Sequence, residues 1–327
     1  MRYFVTGATG FIGGVLVRQL VESGHDVVAL VRAPQRAAHL AALGIKLVTG
    51  DITDKASMRA AMTGVDGVFH LAAWYQVGVR DRSLAEQINV QGTRNVLQLM
   101  QELGINKGVY TSTIAVFSDT RGRLVDESYR YEGPHLSEYD RTKWLAHYQV
   151  AEPMIRAGLP LVIVQPSVVY GPGDNSAMAK TFKLYLRRRL PMLPRGTMFC
   201  WAHVEDVARG HLLAMEKGQP GQSYILSGPP HTMIEVFQLA EKITGVRAPR
   251  LHVSPAMLRL MSKLMEPISY VLPLPTIYHP ESLRVAAGVT YIASNEKAQR
   301  ELGFTVRPLE QGLRDTLSVL MQQLHPA

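Results

Sequence analysis

The sequence predicts an α/β fold in which a doubly wound parallel sheet is followed by a smaller C-terminal α+β lobe. Apolar runs typical of buried strands alternate with helical patterns from the N-terminus to Ser112, and this alternation indicates crossover helices on a parallel sheet. A chain of 327 residues, 46% of them apolar, is long enough to add a second lobe. We expect the sheet domain over residues 1–170, with roughly residues 200–220 returning to it, and the second lobe mainly over residues 171–327.

The first strand is followed by a glycine turn and a helix. Tyr3–Val5 is a short apolar run, and Gly7, Gly10 and Gly13 follow at three-residue intervals before the apolar-periodic residues 15–21. Glycine at these positions allows a sharp turn and lets a pyrophosphate approach the backbone amides, while the helix N-terminus offers unpaired N–H groups. The pattern predicts a Rossmann-type dinucleotide site. Because the spacing differs by one residue from the standard fingerprint, a glycine turn that binds nothing is the alternative.

The second strand, Val27–Val31, is followed by two arginines, Arg32 and Arg36. In a dinucleotide fold the tip of this strand meets the adenosine ribose, where an acidic residue binds the 2′-hydroxyl and an arginine accommodates a 2′-phosphate. No acidic residue follows the strand before Asp51. We therefore predict NADP(H) rather than NAD(H), with Arg32 as the main phosphate ligand and Arg36 as a second one. The alternative is that both arginines only face solvent.

The following segments continue the alternation of strands and helices. Strands are predicted at residues 46–50, 65–73 and 107–112, and helices at residues 58–62 and 89–103. The strand at 65–73 runs into small residues, which let a cofactor lie close to the backbone. Ligands of open parallel sheets bind at the carboxyl ends of the strands, so the residues just past these strands are expected to face the ligand.

A tyrosine and a lysine lie four residues apart at the start of the next predicted helix. Tyr139 and Lys143 share one helix face, because side chains at i and i+4 are neighbours. A phenol in water has a pKa of about 10, and a nearby ammonium group favours the phenolate and lowers that pKa. The pair is therefore predicted to make Tyr139 a proton donor and acceptor near neutral pH. An ordinary exposed helix pair is the alternative.

Taken together, these segments resemble the extended short-chain dehydrogenase/reductase family of the NAD-dependent epimerase/dehydratase superfamily, and its dihydroflavonol-reductase-like branch in particular. The resemblance covers most of the chain as far as Ala208, and its motifs occur in the family's order. The matching segments are Thr6–Gly13, Asp51–Ile52, His70–Ala73, Asn89–Thr93, Tyr139 with Lys143, Pro166, Val169–Pro172 and His203–Ala208.

The resemblance implies a role for each catalytic position. Tyr139 would be the general acid/base, Lys143 would hold the nicotinamide ribose and lower the pKa of Tyr139, and Asn89 would support the active site. The hydroxyl that hydrogen-bonds to the substrate carbonyl falls on Thr113, with Ser112 as the less favoured candidate. Threonine keeps the hydroxyl group and is expected to preserve this function.

The resemblance also implies the residues that bind the cofactor. Family members often carry Arg-Pro where this chain has Gln165-Pro166, so no contact of that arginine is carried over. The substrate is expected to bind mainly in the second lobe. The implied cofactor-binding residues are Gly7, Thr9, Gly10, Phe11, Ile12, Gly13, Arg32, Arg36, Asp51, Ile52, Leu71, Ala72, Ala73, Lys143, Pro166 and Val169.

The function that the resemblance implies is an NADP(H)-dependent oxidoreductase that reduces a ketone or aldehyde to an alcohol. A sugar or nucleotide-sugar epimerase with retained NAD(P) is the first alternative. Sugar dehydratases of the family commonly have Asp-Glu after the catalytic threonine, whereas Ile114 and Ala115 follow Thr113 here. A third class is a redox sensor that holds NADP without turnover, and the presence of Tyr139 and Lys143 weighs against it.

Composition limits the remaining classes. The net charge of +8 suits an anionic ligand, but no nucleic-acid motif accompanies it. The lone Cys200 rules out an internal disulfide and is expected in the core, and no metal site is predicted. No apolar run approaches the ~20 residues that span a bilayer, and the N-terminus begins directly with a strand, so a cytoplasmic protein is expected. The family resemblance makes a homodimer plausible.

The Met-rich stretch from Leu251 to Pro280 is the least informative part of the chain. Its apolar residues Met257, Leu258, Leu260, Met261, Leu264 and Met265 recur at helical spacing. We interpret them as the core of a small lobe. The alternative is an apolar cleft or a partly exposed surface, because methionine side chains adapt to varied ligands.

Overall fold

The computed structural model describes residues 1–75, 83–272 and 274–324. Its strands are β1 (Arg2–Thr6), β2 (Asp26–Val31), β3 (Lys46–Thr49), β4 (Gly67–His70), β5 (Gly108–Thr111), β6 (Leu161–Pro166), β7 (Val168–Tyr170), β8 (Leu193–Pro194), β9 (Met198–His203), β10 (Ser223–Leu226), β11 (Pro230–Thr232), β12 (His252–Val253) and β13 (Thr290–Tyr291). Its helices are α1 (Phe11–Glu22), α2 (Ala38–Ala41), α3 (Lys55–Met62), α4 (Ser83–Glu86), α5 (Thr93–Glu102), α6 (Glu138–Trp144), α7 (Glu152–Arg156), α8 (Ala177–Leu186), α9 (Val204–Lys217), α10 (Met233–Thr244), α11 (Pro255–Val271), α12 (Pro280–Val285), α13 (Glu296–Leu302) and α14 (Leu309–Leu324).

A parallel sheet of seven strands, counted over the described residues, forms the centre of the fold. Its order is β3-β2-β1-β4-β5-β6-β10, and each neighbouring pair is parallel. Phe4 and Val5, which are adjacent in β1, are both fully buried in different core clusters. Because alternate side chains of a strand point to opposite faces, helices must cover both faces of this sheet. The predicted doubly wound α/β fold is confirmed.

The predicted strand at residues 65–73 is shorter in the structure, where β4 ends at His70. The Leu71 N–H still reaches the carbonyl of Thr6, at 3.2 Å. The next available N–H, that of Ala72, donates instead to the hydroxyl of Thr6, at 3.2 Å. The strand ladder therefore stops there, and the residues after it are free to turn toward the ligand-binding edge of the sheet.

The helix predicted over residues 89–103 is present but not regular throughout. Residues Gln87–Gly92 form a π-helical segment that continues into α5. A second π-helical segment, Leu145–Ala151, joins α6 to α7. The chain is therefore helical from Glu138 to Arg156, with the predicted Tyr139 and Lys143 in its first part. π-helical turns of this kind occur frequently at functional sites.

The C-terminal half contributes to both lobes. The helix α9, expected from the return of roughly residues 200–220, packs on α1, where the Gln19 side chain donates to the carbonyl of Glu205 at 3.1 Å. The strand β10 extends the main sheet beside β6. The second lobe contains the small sheet in which β9 pairs with β7, β11 and β13. The boundary at residue 170 stays a prediction.

The interpretation of the Met-rich stretch as core is wrong for half of the residues that suggested it. Leu258 is buried, and Met261 and Met265 pack beside it against Leu283. Met257, Leu260 and Leu264 are exposed on the other side of α11. No helix within the described ranges is long and apolar enough to cross a membrane. Cys200 is buried as expected.

Two glycines of the first turn are required by close backbone contacts. Gly7 has a φ of 77°, and a Cβ there would lie 2.6 Å from the Ala72 nitrogen. A Cβ on Gly13 would lie 2.1 Å from the Gly7 carbonyl oxygen. Neither contact can be relieved by moving a side chain, because both involve backbone atoms. The turn, the start of α1 and the segment after β4 are therefore packed as one unit.

Replacing Gly13 by alanine is expected to lower the free energy of unfolding by about 1–3 kcal/mol, the usual cost of overpacking. Gly14→Ala is the matched control, because its Cβ would meet only the Ala8 carbonyl oxygen at 3.7 Å. Alanine is also the better helix former by about 1 kcal/mol, so this control is expected to be neutral or stabilising. Urea denaturation of the two variants measures the difference, and equal stabilities would contradict the packing described here.

Candidate active site

The segment after β4 connects the glycine turn to the tyrosine helix. Leu71 and Ala72 lie against Gly7, and three residues later the ring of Tyr75 meets the ring of Tyr139 edge-on, with centroids 4.7 Å apart and planes at 85°. Sequence reasoning named Leu71, Ala72 and Ala73 but missed Tyr75. The segment brings the predicted nucleotide loop and the predicted catalytic tyrosine to the same edge of the sheet.

Asn89 fixes the middle of this segment. Its Oδ1 accepts the N–H of Trp74 at 2.7 Å, and its Nδ2 donates to the Trp74 carbonyl at 3.1 Å. The same Nδ2 lies 2.9 Å from the Thr142 hydroxyl on α6. Asn89 is buried in the first π-helical segment. Its amide therefore connects this segment to the backbone of Trp74 and to the helix α6. This geometry is consistent with the supporting position that the sequence assigned to Asn89.

Lys143 is enclosed beneath Tyr139 by the end of β5. Its Nζ donates to the Thr111 carbonyl at 2.8 Å and to the Tyr110 hydroxyl at 3.1 Å, and it lies 4.7 Å from the centre of the Tyr110 ring. Only 2% of the residue is exposed. Burial disfavours the charged form and lowers the pKa of the Lys143 ammonium to about 7.

The expectation that Lys143 lowers the pKa of Tyr139 is wrong for this structure. Burial raises the pKa of the Tyr139 phenol, neighbouring Tyr75 and Asp140 raise it further, and a hydrogen bond with Thr113 lowers it only in part. The ammonium of Lys143 is directed at Tyr110 and the backbone of Thr111. With its own pKa lowered by burial, it also carries less than a full charge near neutral pH. The phenol of Tyr139 is therefore protonated at neutral pH.

The two candidate hydroxyls after β5 have different surroundings. The Ser112 hydroxyl is buried and lies 2.8 Å from Nδ1 of His147. The Thr113 hydroxyl accepts the N–H of Ala115 at 3.1 Å, lies 3.5 Å from the Pro166 carbonyl and lowers the pKa of the Tyr139 phenol, which burial raises. Of the two, Thr113 is the one beside the phenol, as the sequence favoured.

A buried polar cluster behind the glycine turn was not anticipated. His70 lies at the end of β4 with its Nδ1 2.7 Å from the Thr6 hydroxyl and its Nε2 3.0 Å from the Thr93 hydroxyl. Its ring stacks on that of Tyr110. Burial, followed by the charge of Lys143, lowers the pKa of His70 to about 3, so the ring stays neutral. The sequence signal was present, because polar side chains at buried strand ends need partners.

Asp140, next to Tyr139, is a second residue that sequence reasoning missed. Its carboxylate is buried and accepts the hydroxyl proton of Tyr291 at 2.8 Å. Burial raises the pKa of Asp140 to about 7. Because Tyr291 lies on β13, this bond connects the tyrosine helix α6 to the second lobe. Sequence alone could not pair two residues so far apart along the chain.

The residues expected to hold the cofactor fit a dinucleotide. The N-terminus of α1 has Gly10 as its cap, with no side chain accepting the first N–H groups, so these donors are available to a pyrophosphate. Arg32 and Arg36 are exposed at and beyond the tip of β2, and neither forms an ion pair within the described ranges. This donor set suits the phosphates of NADP(H) or NAD(H), and the two basic residues suit a 2′-phosphate.

The other implied cofactor residues fall into two groups. Thr9, Phe11 and Ile12 belong to the turn and the first residues of α1, and Ala73 to the segment after β4. Of the remaining ones, Asp51 and Ile52 lie past the carboxyl end of β3 and Pro166 ends β6, while Val169 is the middle residue of β7. The Asp51 carboxylate accepts the N–H and hydroxyl of Thr53. Gln165, where relatives often have arginine, is buried, and its amide has no hydrogen-bond partner among the described residues.

The described residues contain no cluster of His, Cys, Asp and Glu side chains that could hold a metal ion. The polar groups at the site are hydroxyls, a lysine amine, an asparagine amide and backbone amides. Such groups hold and transfer protons and bind phosphates. The arrangement is chemically equipped for proton transfer beside a bound nucleotide.

Comparison with known proteins shows the family to which the chain is similar. Residues 3–227 match the family model described as the NAD dependent epimerase/dehydratase family. A Synechocystis sp. protein named "Putative dihydroflavonol 4-reductase" is 35% identical over 328 residues, covering 96% of this chain and 93% of that protein. A Stigmatella aurantiaca protein named 4-hydroxy-2-methyl-3-oxo-4-farnesyl-3,4-dihydroquinoline-1-oxide ketoreductase is 31% identical over 325 residues, covering 97% and 96%.

Solved structures share the same fold. The crystal structure of gox2253 is similar with a TM-score of 0.86 and 30% identity, covering 98% of each chain. A UDP-glucuronic acid 4-epimerase from Bacillus cereus, solved in complex with NAD, has a TM-score of 0.76 at 22% identity and covers 99% of each chain. At 22% identity, the similarity to the Bacillus cereus structure shows a shared fold and nothing about function.

The buried amine of Lys143 predicts a specific pH dependence of stability. The folded-state pKa of about 7 lies below the ordinary lysine pKa of 10.5, so between these values the unfolded chain binds the extra proton and stability rises with pH. The free energy of unfolding of the wild type minus that of Lys143→Met is therefore expected to increase from pH 7 to pH 10.5. Urea denaturation of both proteins across this range measures it. A pH-independent difference would show that Lys143 keeps its normal pKa when folded.

Proposed function

Since the chain belongs to the NAD dependent epimerase/dehydratase family, we propose that it is an NADP(H)-dependent oxidoreductase that reduces a ketone or an aldehyde to an alcohol. The observation that carries the proposal is the edge-on contact of the Tyr139 ring with the Tyr75 ring, because Tyr75 lies three residues along the chain from Ala72, which closes on the glycine turn. The Thr113 hydroxyl acts on the pKa of the same phenol. Two relatives, named as a reductase and a ketoreductase, support the proposal that the reaction is a reduction.

In this proposal each residue has a distinct task. Thr113 donates a hydrogen bond to the carbonyl oxygen of the substrate and polarises the carbonyl group. Tyr139 donates its proton to the same oxygen as negative charge develops there. Reduced nicotinamide, when bound, supplies the hydride that adds to the carbonyl carbon. Asn89 keeps the Trp74–Tyr75 segment and the tyrosine helix in register.

The raised pKa of Tyr139 supports its use as a proton donor. Burial keeps the phenol protonated at neutral pH, which is the form needed to give a proton to a carbonyl oxygen. Lys143 would bind the nicotinamide ribose, as in the family that the chain resembles. Its lowered pKa, about 7, lets the amine gain or lose a proton near neutral pH.

The choice of NADP(H) over NAD(H) rests on Arg32 and Arg36. Both are exposed, and no carboxylate within the described ranges forms an ion pair with either. Two unpaired guanidinium groups at the ribose end of the site favour a 2′-phosphate, because arginine binds phosphate oxygens in a bidentate manner. Arg32 is the main ligand in this proposal and Arg36 the second.

An epimerase acting on a sugar or nucleotide sugar, with retained NAD(P), is the second candidate. The observation that favours it is the match of residues 3–227 to the family model described as the NAD dependent epimerase/dehydratase family. Ile114 and Ala115 after Thr113 disfavour dehydration, and a non-catalytic redox sensor would have no use for the Tyr139 and Thr113 pairing. A panel of ketones, aldehydes and nucleotide sugars with NADPH and NADH separates these candidates.

A homodimer and a cytoplasmic location stay predictions from the sequence. Light scattering of the purified protein would determine the oligomeric state. Cell fractionation would determine the location.

Tyr139→Phe is expected to lose turnover by at least about a hundredfold, since it removes the proton donor, while leaving cofactor affinity unchanged. Stopped-flow measurement of NADPH oxidation and fluorescence titration of NADPH binding provide the two values. Tyr75→Phe is the matched control, because it removes the same hydroxyl from the ring packed against Tyr139. Unchanged turnover in Tyr139→Phe would reject the proposed role.

Arg32→Asp is expected to raise the Michaelis constant for NADPH about tenfold, equivalent to about 1.4 kcal/mol, with a smaller effect on NADH. The reason is the loss of the main phosphate ligand and the addition of a repelling carboxylate. Steady-state kinetics with both cofactors provide the measurement, and Arg209→Asp on α9 controls for the change in net charge. An equal effect on both cofactors would argue against a 2′-phosphate at this position.

A further inference from the structure

The helix α11 has two apolar sides, only one of which packs against the protein. Its inner side is formed by the buried Leu258 and the half-buried Met261 and Met265, which contact α12. Its outer side carries an apolar stripe, which we define as Met257, Leu260, Leu264, Ile268 and Val271. These side chains are 51%, 52%, 57%, 36% and 77% exposed.

The members of the apolar stripe recur every three or four residues, so they lie on one line along the helix. Leu251 before the helix and Leu272 after it are also exposed and lengthen the apolar surface at both ends. Single exposed apolar residues are common, but a continuous line of large ones is rare on a soluble monomer and marks an interaction site. The stripe is therefore a surface that an apolar binding partner could cover.

The charges around the stripe are positive. Arg259 and Lys263 lie one turn apart on α11 and are exposed, as are Arg247 and Arg250 just before it. None of these four basic residues forms an ion pair within the described ranges. The acidic residue of the helix, Glu266, is compensated by Arg284 at 3.7 Å. The apolar stripe is therefore flanked by uncompensated positive charge.

The positive charge beside the stripe favours one binding partner over another. The two candidate partners are a second copy of the chain and a lipid bilayer. A second copy of the chain, docked by the same face, would bring the same arginine and lysine side chains together, and this repulsion opposes association. A bilayer that contains anionic phospholipids offers both an apolar interior and complementary negative charge. Basic side chains contribute on the order of 1 kcal/mol each near such a surface.

We propose that α11 binds in the plane of an anionic phospholipid bilayer, with the apolar stripe inserted among the acyl chains and the basic residues at the phosphate groups. A helix with one apolar face and a basic polar face lies in the membrane interface rather than crossing it. This agrees with the finding that no described helix can span a bilayer. The long stems of Arg259 and Lys263 allow their charged ends to reach the headgroups.

The helix is separate from the candidate active site, so binding and catalysis can be tested independently. α12 links α11 to the tyrosine helix: the Ser262 hydroxyl donates to the Pro280 carbonyl at 3.0 Å, and the N–H of Glu138 donates to the Glu281 carboxylate at 3.3 Å. The stripe side chains are exposed on the outer side of α11. Substitutions on the outer side are therefore expected to leave folding and turnover intact.

The experiment is co-sedimentation of the full chain with vesicles of phosphatidylcholine alone and of phosphatidylcholine mixed with phosphatidylglycerol. The wild type is expected to sediment with the mixed vesicles, at least about tenfold more strongly than with the neutral ones, and to be released by salt. The double variant Leu260→Ser with Leu264→Ser is expected to lose binding about tenfold or more. Arg259→Gln with Lys263→Gln is expected to lose the preference for anionic vesicles.

Matched controls use exposed residues elsewhere on the chain. Leu124→Ser removes an equally exposed leucine, and Arg209→Gln with Lys180→Gln removes two exposed charges. Both are expected to bind vesicles as the wild type does. Equal sedimentation of the wild type with neutral and anionic vesicles would overturn the proposal, and so would unchanged binding of the leucine double variant or an unchanged preference for anionic vesicles in the Arg259→Gln, Lys263→Gln variant. So would a stable dimer that the leucine variant disrupts, because the face would then be occupied by a second copy.

Discussion

The close approach of the glycine turn to the segment after β4 is the constraint on which the candidate site depends. Gly7, with a φ of 77°, leaves no room for a Cβ beside the backbone of Leu71 and Ala72. The Thr6 hydroxyl, which accepts the Ala72 N–H, holds the segment at this distance. From there the chain can reach Asn89 and Tyr139. A side chain at position 7 would separate the nucleotide loop from the tyrosine helix.

Burial, rather than pairing of opposite charges, sets the electrostatics around Tyr139. Removing the amine of Lys143 from water lowers its pKa, and enclosing the phenol of Tyr139 raises its pKa. Both shifts have the same origin, since a low dielectric disfavours every charged form. The result is a site that favours neutral groups at rest, in which His70 is also neutral. Such a site keeps the Tyr139 phenol protonated.

The C-terminal half stabilises this arrangement from outside the sheet. The Arg307 guanidinium shares its Nε–H between the two oxygens of the Asp206 carboxylate, at 3.0 and 3.1 Å, and its Nη2 donates to Asp206 and to Glu205, each at 2.9 Å. This partly buried pairing fastens the segment before α14 to the start of α9, which itself packs on α1. On the opposite side, Tyr291 bonds to Asp140. The tyrosine helix is thus held by the sheet on one side and by the second lobe on the other.

The sequence by itself determined the alternation of strands and helices as far as Ser112, because strand runs, glycine turns and helical spacing are local patterns. It also determined the glycine turn and the sharing of one helix by Tyr139 and Lys143, which follow from short spacings. The tertiary structure alone decided which charges are buried. Lys143 faces Tyr110 and Thr111 instead of lowering the pKa of Tyr139, and Ser112 faces His147 while Thr113 faces the phenol. It also decided that Met257, Leu260 and Leu264 of α11 remain outside the core. Solvation and burial depend on segments that meet only after folding, so no local pattern could contain them.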